Sequence, residues 1–293
     1  MTSAAAQIGA SEELPSIDEV VQTVTGLRPL GAIAARILQI TEGDTFSAQA
    51  LAKVISSEPA LSARMLQLAN SAYYGFPRRI GTVRDAIVLL GFRTVRSATL
   101  AACVINAVPN GSSRDEARTF WRYSIFIGMV SEVIAQAERA DCEEAFTAGV
   151  LHNIGRLALS QQYPELMQRT QRHARTRQIS LLEAEREVLG YTDAELGGAL
   201  AAHWNFPEGL VEAAARHRES IYAVDDQHSA LGLVIRARAL AAGIGIWDGI
   251  ETSVASGPPA EWRQPPLSQE LARVGGPDGL LERVDAFLGS AIG

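Results

Sequence analysis

The chain has 293 residues, 47% hydrophobic and 20% charged, a composition that supports a sizeable core and excludes a disordered polymer. Its formal net charge of −7 works against broad electrostatic capture of nucleic acid, because phosphate binding needs concentrated positive charge. Lys53 is the only lysine, so arginine supplies nearly all the positive charge and arginine runs carry little weight as evidence of a binding site.

Residues 1–14 are small and polar without periodicity and are expected to form a flexible leader. Ile17 to Val24 and Ile33 to Ile40 then supply two helical faces, separated by Pro29 and Gly31. Ser47 is placed to cap a helix whose Ala48, Leu51, Val54 and Ile55 share a face. Pro59 suits the first turn of the next, which carries Leu61, Met65, Leu66 and Ala69. Gly75 and Pro77 stop it, and Thr82 with Asp85 reads as a capping box for a helix through Ile87, Leu89 and Leu90. Thr94 caps a further helix through Ala107, and Pro109 to Ser113 is the clearest linker.

Beyond the linker, Phe120, Trp121, Ile125, Phe126, Met129 and Val133 share an amphipathic face. Phe146 to Leu159 is expected to be one helix, carrying Gly149-Val150-Leu151-His152-Asn153-Ile154-Gly155-Arg156-Leu157. Ser180 with Glu183 and Thr192 with Glu195 are two more capping boxes on either side of a Gly190 stop, and Pro207 opens a helix that ends near His217. Val224 to Ile246 is expected to be the last long core helix, 247–266 a surface loop, and Leu280, Leu281, Val284 and Phe287 the face of a short closing helix.

Strand-like alternation is rare throughout, so the fold class is all-α. Neither Cys103 nor Cys142 has CxxC spacing, so no disulfide framework or zinc knuckle is indicated. There is no secretory leader pattern, and no stretch reaches the roughly 18 apolar residues that a membrane span needs. A cytoplasmic protein without membrane contact is expected.

The residues resemble the HDOD domains, which are HD-related output domains of bacterial signalling proteins. The resemblance rests on Pro29-Leu30, Ser57-Glu58-Pro59-Ala60-Leu61, Leu68-Ala69-Asn70-Ser71-Ala72-Tyr73-Tyr74-Gly75, Ala86 to Gly91, Trp121 to Ser124, Ala148 to Gly155, Glu195-Leu196-Gly197 and His203 to Pro207. It covers about residues 25–220. It implies a multi-helix bundle with an N-terminal helical half, 15–108, packed on an HD-like half, 114–246, followed by a Pro/Gly loop and closing helix, 247–293.

The resemblance also gives the positions of a hydrolase metal site. An HD hydrolase gathers imidazoles and carboxylates on one or two divalent metals that activate water. Here the first ligand position holds Tyr123, the His-Asp pair is His152-Asn153, a later histidine is Asp193, a His-His pair is His217-Arg218, and the terminal aspartate falls near Arg238. Asn153 lacks the charge of aspartate, two arginines would repel a cation, and the Gly-Tyr-Pro motif of cyclic-dinucleotide phosphodiesterases is absent after His217.

The expectation is therefore a protein without catalytic residues, metal or cofactor. It acts through contacts with other signalling proteins and retains a vestigial pocket open to a small anionic ligand. The alternative is a metal-dependent phosphohydrolase of nucleotides or cyclic dinucleotides, using His152, Asn153 and His217. Tyr73, Tyr74, Phe76, Arg78 and Arg79 form a candidate partner surface. The basic run Arg169, Arg172, His173, Arg175 and Arg177, like Arg84, Arg93 and Arg96, reads as solvated helix face rather than a nucleic-acid site.

Overall fold

Five α-helices begin after Thr82, Asp141, Ser180, Thr192 or Ser229, whose side chains accept from otherwise orphan backbone N–H groups. A computed structural model describes residues 14–27, 37, 48–70, 77–92, 95–96, 99, 114–250 and 257–291, and every regular element among them is helical. The faces predicted for 33–40 (Ile37 apart), the Ser47 cap, the Thr94 helix (Val95, Arg96 and Thr99 apart) and Tyr73, Tyr74 and Phe76 lie outside the described residues. No described helix is long and apolar enough to cross a membrane.

The N-terminal part contains α1 (Ile17–Leu27), α2 (Ala48–Ser56), α3 (Pro59–Ala69) and α4 (Val83–Leu90). Thr82 caps α4 by accepting from the Asp85 amide at 3.0 Å while its hydroxyl donates to the Asp85 carboxylate at 2.7 Å. Asn70 closes α3. Its amide nitrogen donates to the Leu66 and Ile80 carbonyls, and its oxygen accepts from the Ile80 amide at 2.7 Å.

The organising element is α5 (Arg114–Glu138), with Trp121, Ile125, Phe126, Ile127, Val130 and Ile134 all buried. It packs on α6 (Cys142–Leu151) and α12 (Ala230–Gly243), and on the C-terminal α13 (Leu267–Arg273) and α14 (Gly276–Ala291). α14 also reaches α3, and Arg122 holds Asp285 with two hydrogen bonds of 2.9 and 3.1 Å. The α5–α6 crossing is backbone on backbone: a Cβ on Gly149 would stand 2.6 Å from the Gly128 Cα.

The single helix expected over 146–159 is two helices. α6 ends at Leu151, and α7 (Ile154–Gln162) starts after Asn153, whose φ of −104° and ψ of 19° lie in the sparsely populated bridge region. Two long-range contacts account for the break. Gly149 is held against α5, whereas Gly155 is pressed onto α10 (Asp193–His203), where a Cβ would sit 1.9 Å from the Asp193 carbonyl oxygen and 2.5 Å from the Gly197 nitrogen. A straight helix cannot meet both, so the chain turns at His152-Asn153.

α8 (Pro164–Arg177) follows, and then α9 (Leu181–Leu189) and α10 open on the predicted capping boxes at Ser180 and Thr192, with Gly190 left-handed at φ 83° between them. α11 (Glu208–Arg216) starts after Pro207 and is closed by His217. The helix expected over 224–246 is shorter, because Ser229 accepts from the Gly232 amide and starts α12 at Ala230. It is also not the last long helix, since α14 runs 16 residues. Nor is 247–266 only surface loop: Asp248 and Trp262 are buried, the second within the main core.

Candidate functional site

The break between α6 and α7 projects His152 into the space where α5, α10, α11 and α12 converge. Its ring lies 4.9 Å, centroid to centroid and edge to face, from that of His217 at the end of α11, and 5.8 Å from Tyr123 on α5. Arg238 of α12 donates to the Tyr123 hydroxyl at 3.4 Å and to the His217 backbone carbonyl. Residues 21 to 115 positions apart in sequence are thereby in contact.

Both imidazoles are fixed in the same tautomer. His152 Nδ1 lies 2.5 Å from the Gly149 carbonyl oxygen and His217 Nδ1 3.0 Å from that of Ala214, contacts that require the proton on Nδ1 and leave the lone pair on Nε2. Neither Nε2 has a hydrogen-bond partner, and the same holds for Asn153 Oδ1. Burial holds the His152 pKa down at about 3, with Arg238 adding to the effect. Burial, then His152 and Arg238, keep His217 well below the ordinary histidine range. The Tyr123 phenol is pushed up by burial. The rings are neutral, with their lone pairs exposed only to the interior.

Beside this group lies a buried ionic network that sequence reasoning missed in part. Asp193, at the first turn of α10, accepts from Arg156 Nε at 2.7 Å and from Arg218 Nε and Nη2, each at 2.8 Å. Arg156 also donates to the Asp248 carboxylate, whose other oxygen accepts from the Ile250 amide at 3.0 Å. Glu185 of α9 accepts from the Asp193 amide at 3.0 Å. Arg156 and Glu185 are fully buried, and Asp193 is 1% exposed.

Of the predicted site residues, Tyr123, His152 and His217 form the aromatic group, Arg238 hydrogen-bonds to it, and Asp193 with Arg218 belongs to the network. Asn153 sits at the turn, and no described hydrogen bond reaches its side-chain oxygen. Arg156, Asp248 and Glu185 were not anticipated. Arg78 and Arg79 of the candidate partner surface are exposed, and Arg96 is bound to Glu143 rather than solvated.

A divalent metal does not fit this donor set. Two imidazole nitrogens and an amide oxygen are present, but the one nearby ligand-position carboxylate, Asp193, is bound by two guanidinium groups, and the Arg238 guanidinium is held at the Tyr123 hydroxyl and the His217 carbonyl beside them. Among the described residues, no group of three or more His, Cys, Asp and Glu gathers as a metal site.

The family model for the HDOD domain matches residues 27–220. The chain belongs to the HDOD family. A crystal structure from Shewanella amazonensis SB2B, of a protein described provisionally as a phosphohydrolase, is 29% identical and covers 93% of this chain and 95% of that one, with a TM-score of 0.66. A protein from Marinobacter aquaeolei VT8, described provisionally as a signal transduction protein, shares the fold at 24% identity and a TM-score of 0.71, covering 92% of this chain and 60% of its own. An uncharacterized protein of Treponema pallidum (strain Nichols) is 26% identical over 177 residues, 59% of this chain. The HDOD chain described here spans about a third of that relative, 34% of its length.

Proposed function

We propose that this HDOD chain is a non-catalytic signalling module of the cytoplasm that works through protein contacts, with its HD-like centre converted from a ligand set into a fixed ionic lock. The observation that carries this is the occupation of Asp193 by both Arg156 and Arg218 inside the core. A carboxylate so bound cannot also neutralise a divalent cation, and metal-activated water is what an HD hydrolase runs on. Family membership supports the signalling role, and exposed Arg78 and Arg79 are available for partners. A small anionic ligand in the old pocket would meet Arg238 on one side and two imidazole lone pairs on the other, so protein contacts come first in the proposal.

The second reading, a metal-dependent phosphohydrolase, is favoured by the two unpartnered Nε2 atoms and by the description of the Shewanella protein. One experiment separates them. Purified full-length chain is analysed for bound metal and assayed on bis(p-nitrophenyl) phosphate and cyclic dinucleotides with added manganese, magnesium or nickel. No stoichiometric metal and no turnover are expected. Stoichiometric metal with turnover lost in His152→Ala or His217→Ala would overturn the proposal.

A further inference from the structure

A second concave site lies away from the paired histidines. The first two turns of α5, the faces of α7 and α8, and residues 248–250 enclose a cleft of about 440 Å³, inside the range that holds small molecules. Its apolar lining is formed by buried Phe120, Leu157 and Met167 with half-buried Ile250. Gln161 enters the same wall, and its side-chain oxygen is buried without a hydrogen-bond partner. An acceptor left so is costly, and whatever fills the cleft gains by presenting it a donor. Gln171, from the facing stripe of α8, adds a second amide.

The charges narrow the ligand further. Asp115 and Glu116 stand exposed on one rim, and Arg175 stands exposed on the other. Asp248 contributes a third carboxylate to the wall, already bound by Arg156. Carboxylates outnumber the guanidinium group on the lining, which disfavours a phosphate. An apolar floor accepts a flat ring, amides read a donor–acceptor edge such as that of adenine, and rim carboxylates accept from sugar hydroxyls.

We infer that this cleft binds a nucleoside, taking an amine-bearing nucleobase with its ribose and discriminating against the phosphorylated form. The base lies on Phe120 and Leu157, its exocyclic amine donates to Gln161 Oε1, and the ribose hydroxyls face Asp115 and Glu116. The loop that bears Asp248 and Ile250 joins this cleft to the ionic network, since the Ile250 amide donates to the same carboxylate that holds Arg156.

The test is calorimetric titration of the full chain with adenosine, inosine and AMP. Saturable one-to-one binding of adenosine is expected, with inosine, which replaces the amine by an acceptor, and AMP each about tenfold weaker. Asp115→Asn combined with Glu116→Gln, both on the exposed rim, narrows the gap between adenosine and AMP. Ser160→Phe, which fills the cleft, removes binding, and Gln168→Trp does so from the exposed rim should the first variant melt early. Equal or tighter binding of AMP, no saturation by adenosine in the low-millimolar range, or adenosine binding intact in both filled variants would overturn the inference.

Discussion

Acidification tests the state of the paired histidines directly. In the folded chain His152 is neutral, with burial holding its pKa at about 3 against an ordinary 6.5. The unfolded chain therefore binds a proton that the folded chain refuses, and stability falls as pH drops below 6.5, levelling only near the folded value. Between about pH 7.5 and about pH 5 the loss accumulates over roughly 1.5 units below the unfolded pKa, or about 2 kcal/mol for this one group at about 1.4 kcal/mol per unit. His217 is shifted in the same direction and adds to the loss. The carboxylates shifted below their ordinary 4.5, such as Glu138 and Glu195, contribute mainly below this window. Urea unfolding followed by tryptophan fluorescence at the two pH values measures the drop, and His152→Phe supplies a ring of similar size that cannot titrate. The wild type should lose about 2 kcal/mol more than the variant over the interval. Equal losses would show that His152 is protonated or solvated in the folded state and that the pair is not both buried and neutral.

Removing Asp193 strands Arg156 and Arg218 in the core. Asp193→Ala should cost about 3–5 kcal/mol, the usual penalty for deleting one partner of a buried pair, and Asp193→Asn should lose less; urea midpoints give both. Gly155→Ala places a Cβ where the Asp193 carbonyl oxygen already stands, 1.9 Å away, with no flexible side chain to yield. It should cost about 3 kcal/mol or more and weaken the near-UV circular dichroism, because α7 and α10 must separate.

The helices were legible where their signals are local. Ser180 with Glu183 and Thr192 with Glu195 close their capping boxes as read, and Pro207 and His217 bound α11. What misled was continuity of apolar sequence. Residues 146–159 look like one helix because nothing within the stretch forbids it; the break is imposed by Gly128 and by Asp193 and Gly197, all distant in sequence. The same continuity hid Ser229 as the start of α12. The site was half legible. Tyr123, His152, His217 and Arg238 meet as the family register implies, since a bundle fixes which helices face inward. Arg156 was passed over, although an arginine between Ile154 and Leu157-Ala158-Leu159, all buried, is a charge that must find a partner inside. Glu185, on the buried stripe of Leu181, Ala184 and Val188, gives the same signal. Asp248 had no such mark, because its neighbours read as loop.

At the ligand positions the resemblance implies, a metal would join α5, the turn after α6, α10, the end of α11 and α12. In this chain the guanidinium groups of Arg156 and Arg218 do the equivalent work from inside, joining α7, α10, the end of α11 and the 248–250 loop through Asp193 and Asp248. The difference is that these cations are covalently part of the chain. A metal-dependent fold changes stability with metal supply and with the protons its ligands must release, whereas Arg156 and Arg218 stay charged at any working pH and cannot dissociate. Glu185, Asp193 and Asp248 match Arg156, Arg218 and Arg238 in number, so acidic and basic side chains balance within the region. On the proposed reading such a centre does not switch by gaining or losing a metal, and regulation of the module enters elsewhere: at a partner surface, or at the cleft whose wall ends on Asp248.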